Sequence, residues 1–308
     1  MSIDHQKHVP TTFAVNDLSY RFSWFHLARP LTLTGTINPI ITGTIIASMQ
    51  GKVYYDIFIT FLIASMLIQI SANMLNDYFD LKNGQDYEKW IKNSNRSFTK
   101  LPMHQEIPYV VSVMIMLAII LGIWLSIRIN WWVALVGLVG IIMSFAYSTG
   151  KKSLSALGLG EIVAAVYLGF VPTILAYIMH DNFINFKIIL LASPFSLLIA
   201  SMILSNNIRD IKKDTGFRRT LAIRRKNAFY LLNALLLFAY TIIFILVISQ
   251  TITWTVSVVF FAMPFAYKLL NSYKINAKRM DEINGMKWAA RHHWAFGTLF
   301  WLGLLLGS

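Results

Sequence analysis

The stretch Asn73-Met74-Leu75-Asn76-Asp77-Tyr78-Phe79-Asp80 closes a long apolar run and is followed by Gly84 and Asp86. Asp77 and Asp80 are three residues apart, so on a helix they share a face, with Asn73 one turn earlier on roughly that face. Two like charges on adjacent turns repel, and beside an apolar run the repulsion is weakly screened. A divalent cation would resolve the conflict. Gly84 is a helix stop that lets the chain turn Asp86 back towards the pair. A second stretch, Asn206-Asn207-Ile208-Arg209-Asp210-Ile211-Lys212-Lys213-Asp214, ends another apolar run and repeats the device. Amides are again followed by paired carboxylates, here Asp210 and Asp214, four apart on one face. The candidate ligands are all oxygens, which suits Mg²⁺. Either pair alone reads more readily as an interfacial cap or solvated loop charge; two matched pairs favour metal.

Outward from these two stretches, nine apolar segments of roughly the ~20 residues a bilayer requires can be drawn. They are Leu31–Met49, Ile57–Leu75, Tyr109–Ile127, Trp131–Tyr147, Glu161–Met179, Ile188–Asn206, Ala228–Ile248, Ile252–Leu270 and Ala289–Gly307. The runs are continuous and not alternating, so spanning helices are expected and a barrel is not. Hydrophobic residues make up 56% of the chain and charged ones 13%, about half the charge of a soluble domain. The expected fold class is an all-α polytopic membrane protein with nine transmembrane helices. With the N-terminus placed in the cytoplasm, all but Lys52, Arg128 and Lys187 of the 27 Lys and Arg residues fall on the cytoplasmic side. The positive-inside rule then sets the N-terminus inside and the C-terminus outside. Residues 1–22 read as a cytoplasmic segment and 23–308 as one transmembrane domain. The longer connections are all cytoplasmic, so function is expected at that mouth.

The net charge of +13 would suggest nucleic acid only if the basic residues formed a patch on a soluble fold; here they punctuate apolar segments. The chain has no cysteine, which excludes disulfides and thiolate chemistry. Residues 1–20 lack the apolar core and small-residue site of a cleaved signal peptide. A diphosphate held by metal needs cations too. Lys151, with Tyr147 at the end of the fourth segment, and Arg209, beside the second acidic pair, are the candidates closest to segment ends. Glu161 opens the fifth segment after Leu157-Gly158-Leu159-Gly160, where a helix dipole alone favours an acid; a site role is equally open. His292 and His293, adjacent on a helix, point to different sides and read as interfacial. A transporter is disfavoured, because its carboxylates belong near the bilayer midplane on broken helices.

Together, Asn76-Asp77-x-x-Asp80, Tyr147-x-x-x-Lys151 and Asp210-x-x-x-Asp214 resemble the UbiA-type membrane prenyltransferases over nearly the whole length. Several stretches are most similar to the 1,4-dihydroxy-2-naphthoate polyprenyltransferases of menaquinone biosynthesis. These are Ala28-Arg29-Pro30-Leu31-Thr32, Asn76 to Asp86, Leu157 to Glu161, and Asn206 to Asp210 followed by Arg219-Thr220-Leu221-Ala222-Ile223. The resemblance implies a helical bundle around a central cavity open sideways to lipid, in a bacterial inner membrane with the site facing the cytoplasm. It implies Mg²⁺ on Asp77, Asp80, Asp86, Asp210 and Asp214, with Asn73, Asn76 and Asn206 as accompanying amides. Tyr147 and Lys151 would contact the departing diphosphate. The partners so implied are a polyprenyl diphosphate and an aromatic acceptor; 4-hydroxybenzoate, haem and glyceryl lipid acceptors belong to the same superfamily.

Overall fold

A computed structural model describes residues 18–92, 101–150, 153–214, 222, 225–274 and 276–307, with backbone alone at 212–214 and 225–226. All nine apolar segments lie on helical structure. A short α1 (Trp24–Ala28) and a 3-10 turn (Pro30–Thr32) lead into α2 (Thr34–Ser48). Next come α3 (Tyr55–Lys82), α4 (Ile107–Arg128) and α5 (Trp132–Ser148). The chain continues through α6 (Gly160–Ala164), α7 (Val171–Ile178), α8 (Phe186–Asp214) and α9 (Arg225–Ile248). A 3-10 segment (Trp254–Ala262) runs into α10 (Met263–Ser272), and α11 (Arg279–Leu306) ends the bundle. Among the described residues, five helices are long and apolar enough to cross a membrane alone. The pair Trp24–Thr32 and Thr34–Ser48, bent by 47°, makes a sixth if taken as one broken span.

Several of the expected segments are interrupted, for local chemical reasons. Pro172 has no amide hydrogen and its ring crowds the carbonyl four residues back. The helix absorbs this with a π turn over Ala165–Phe170 between α6 and α7. Just before the first segment the chain breaks at the Arg29-Pro30 junction, where Arg29 takes a left-handed φ of 53°. The chain is also not wholly helical. Leu18–Tyr20 (β1) pairs antiparallel with Trp90–Lys92 (β2), Tyr20 opposite Trp90. The all-α expectation missed it because each strand is three residues long and is defined only by its distant partner.

The two halves of the bundle are packed differently. Helices α8 to α11 share one aromatic core in which Phe195, Phe296 and Phe300 meet edge to face and stacked. Helix α2 packs against α7 through glycine: a Cβ on Gly43 would lie 2.2 Å from the Thr173 carbonyl oxygen. Small residues let spanning helices approach this closely where hydrophobic burial offers no gain over lipid. His292 and His293, expected at an interface, are both buried in this core. His292 Nε2 pairs with the Tyr240 hydroxyl at 2.8 Å, and His293 Nδ1 with Thr34 Oγ1 at 2.8 Å. Helices α9 and α2 pack on different sides of α11 here, so each ring finds a polar partner. In the other half, α5 packs against α3 and α4, and space remains between these helices and α6 to α8.

Candidate active site

That space is a cavity of about 630 Å³. Its lower wall is apolar, from Phe61, Ala64, Ala118, Val133 and Leu175; its upper wall carries Arg29, Asn73, Asn76, Tyr147, Asn206 and Asn207. Helix α3 sets the polarity, since its apolar face descends into the cavity while its last turns supply carboxylates.

Asp77, Asp80 and Asp86 come together at the end of α3, with ligand oxygens within 4.8 Å of one another. Gly84 (φ 85°) and Asp86 (φ 56°) turn the chain as their positions suggested. The Asp77 side chain is fully buried, and its Oδ1 is held by Arg29 Nη2 at 2.8 Å and Lys89 Nζ at 2.7 Å. Lys89 also reaches Asp86 Oδ2 at 2.6 Å, and Asn76 Nδ2 donates to Asp80 Oδ2 at 3.1 Å. Burial opposes the charge on Lys89, but the Asp77 and Asp86 carboxylates outweigh it and hold the ammonium above the ordinary lysine value. Asp77 Oδ2 is buried without a hydrogen-bond partner. An orphaned carboxylate oxygen in such a place is costly. The orphaned oxygen beside two further carboxylates fits a divalent cation bound by oxygens.

Arg29 and Lys89 were not among the residues singled out from sequence. Arg29 lies 48 positions from Asp77 and Lys89 lies in a loop, so neither spacing advertises the contact. The Arg29-Pro30 junction before the first apolar run was the available signal. Asn73, on the cavity wall, also donates to the Ala28 carbonyl at 3.1 Å and so ties α3 to α1.

The second acidic motif is arranged otherwise. Arg209 donates to both oxygens of its neighbour Asp210, at 2.9 and 2.6 Å, and to Asn206 Oδ1 at 2.7 Å. Arg279 holds the same turn through the Arg209 carbonyl at 2.5 Å. Arg209 lies within electrostatic reach of Arg29, and Asn206 shares the cavity with Asn73 and Asn76. The two motifs thus face one mouth. Glu161 is buried behind the wall, accepting from Asn207 Nδ2 at 2.8 Å. Lys151 and the Asp214 side chain lie outside the described residues.

An apolar cavity whose polar end carries Arg29, Asn73, Asn76 and Asn206, with Asp77 and Asp80 bonded to Arg29 and Asn76, lies within a bundle of apolar helices, the build of a multi-pass membrane protein. The model of the UbiA prenyltransferase family matches residues 37–291, and the chain belongs to that family; it is a prenyltransferase. It is similar to the 1,4-dihydroxy-2-naphthoate octaprenyltransferase of Bacillus subtilis (strain 168), at 32% identity over 92% of each chain. The 2-carboxy-1,4-naphthoquinone phytyltransferase of Synechocystis is 23% identical over 88% of this chain and 93% of its own. Among solved structures, one reported under "Structural and mechanistic insights into the biosynthesis of Digeranylgeranylglyceryl phosphate synthase in membranes" shares the fold. It matches with a TM-score of 0.59 over 92% of this chain and 98% of that one, at 13% identity.

Proposed function

We propose that this enzyme transfers a polyprenyl group from a polyprenyl diphosphate to 1,4-dihydroxy-2-naphthoate. The ring carboxylate leaves as CO₂ with diphosphate as the second product, giving the quinol form of demethylmenaquinone. The observation that carries the reading is the Asp77–Asp80–Asp86 cluster with its orphaned oxygen, bonded to Arg29 and Asn76 at the polar end of an otherwise apolar cavity. The acceptor rests on the names of the relatives and on the Asn76 to Asp86 spacing. Nine spans, with the N-terminus inside and the site at the cytoplasmic face of the bacterial inner membrane, complete the proposal. This placement serves a lipid-soluble donor and a water-soluble acceptor at once.

Asp77, Asp80 and Asp86 on one side and Asp210 and Asp214 on the other would hold Mg²⁺. The ion would supply Lewis-acid neutralisation of the diphosphate. The protein's own groups do the rest. Breaking the allylic C–O bond sends an electron pair to the diphosphate oxygen and leaves positive charge on the prenyl carbon. Arg29, Arg209 and Lys151 are fixed cations for the first charge. Tyr147 and Tyr167 on the cavity wall offer ring faces to the second, worth about 0.5–2 kcal/mol each. The apolar walls exclude the water that would quench it. The electron-rich ring of the acceptor then forms the new C–C bond as its carboxylate departs.

The test is a membrane assay with Mg²⁺, a labelled polyprenyl diphosphate, and dihydroxynaphthoate or 4-hydroxybenzoate supplied separately. A prenylated naphthoquinol that disappears with EDTA is the expected result. Product with 4-hydroxybenzoate alone would overturn the acceptor, and product with neither would overturn the reaction.

A further inference from the structure

The far end of the cavity is closed, and the closing residues belong to both the wall and a packed cluster. Ile57, Leu125, Val133 and Met179 form a small buried core with Phe61 and Leu175 against it. Leu125, Val133, Met179, Phe61 and Leu175 also line the cavity. Polar contacts beneath clamp this plug: the Tyr54 hydroxyl donates to Asp181 Oδ2 at 2.7 Å, and Arg128 Nε to Asp56 Oδ2 at 3.1 Å. The Arg128 guanidinium lies over the Tyr54 ring, 5.4 Å from its centre. A hydrocarbon chain entering from the acidic end meets a floor.

One face of α5 runs from that floor to the polar end. Val133, Gly137, Gly140, Ser144 and Tyr147 follow one another at intervals of four and three, the repeat of a single helical face, and all five line the cavity. A Cβ on Gly137 or Gly140 would touch nothing within 4 Å. Neither glycine has a left-handed φ, so neither is there for backbone conformation. Each weakens the helix relative to alanine, and what it provides is open volume at a set depth. From Tyr147 the helical rise places Gly140 at about 10 Å, Gly137 at about 15 Å and Val133 at about 21 Å. An extended isoprene unit adds four main-chain carbons, about 5 Å at ordinary carbon–carbon bond lengths.

Resting on the proposed donor, we propose that this face of α5 and the plug at its foot gauge the prenyl chain, setting the depth of about the first four isoprene units. Length discrimination is therefore set unit by unit down to the floor. Substitutions on this face change discrimination at the unit whose depth they match.

The experiment uses the full chain in lipid vesicles, with donors of two, three, four, five and eight isoprene units and saturating dihydroxynaphthoate. Gly137→Leu should lower kcat/KM for the four-unit donor relative to the two-unit donor by tenfold or more. Gly140→Leu should impose the same loss one unit earlier, on the three-unit donor relative to the two-unit one. Val133→Ala deepens the floor and should raise the five-unit to four-unit ratio several-fold, a gain that misfolding cannot produce. Active variants whose length ratios match the unsubstituted enzyme, or both leucine variants cutting at the same unit, would overturn the gauge. An unsubstituted enzyme that transfers no donor of any length would instead overturn the functional reading beneath it.

Discussion

The two acidic motifs read as copies in the sequence, but the fold treats them differently. At the end of α3, Asp77 is fully buried and held from two distant points, Arg29 and Lys89, with Asp80 and Asp86 gathered against it. At the end of α8, Asp210 is engaged by its immediate neighbour Arg209. The first site is assembled by the tertiary structure before any ligand arrives, and its geometry is preorganised. Among the described residues the second is closed by a local pair, which in the proposed reaction a diphosphate would open by offering Arg209 its own oxygens. On that reading the first motif would bind and the second respond.

The largest effect is expected from breaking the assembled site. Asp77→Asn should cut kcat about a thousandfold, as loss of preorganised charge at a site of developing charge does. It should also cost about 1.5–3 kcal/mol of stability, because Arg29 and Lys89 lose a charged hydrogen-bond partner. Activity assays with thermal melts of the detergent-solubilised protein check both. Asp210→Asn should cost less, about a hundredfold, and leave the melt unchanged, since the pair it breaks is local and partly exposed. Equal losses of activity and stability in the two variants would erase the distinction between them.

Lys89 gives a finer test. It occupies oxygens of Asp77 and Asp86 that a cation would also seek, so Lys89→Met should lower the half-saturating Mg²⁺ concentration about threefold while lowering the maximal rate. The expected pH effect is smaller still. The folded lysine is held above its ordinary value, so its contribution to stability is fully present below that value. It is lost only as pH rises through the raised one. Melts should therefore be flat in this respect from pH 7 to about 10, and a loss that Lys89→Met abolishes near pH 8 would contradict the assignment.

Much of this arrangement was legible because it follows from local rules. Apolar run length places the helices, the three-residue spacing puts Asp77 and Asp80 on one face, and Gly84 marks the turn that returns Asp86. What escaped is what only tertiary structure creates. Arg29 reaches Asp77 across 48 residues from a left-handed turn that, with Pro30, breaks the chain just before the first segment. Tyr20 meets Trp90 through two strands too short to show a period. His292 and His293 looked interfacial because their polar partners, Tyr240, Thr34 and Asn38, come from other helices. The π turn before Pro172 required the observation that this proline sits inside a helix and not at its start.

The most direct test of the central claim is a Mg²⁺ titration of prenyl transfer to dihydroxynaphthoate, run side by side on the unsubstituted enzyme and on Asp77→Asn. The account predicts a saturable Mg²⁺ dependence in the first and no restoration of activity at any Mg²⁺ concentration in the second, with the protein still folded. Full activity of folded Asp77→Asn at ordinary Mg²⁺ would contradict it.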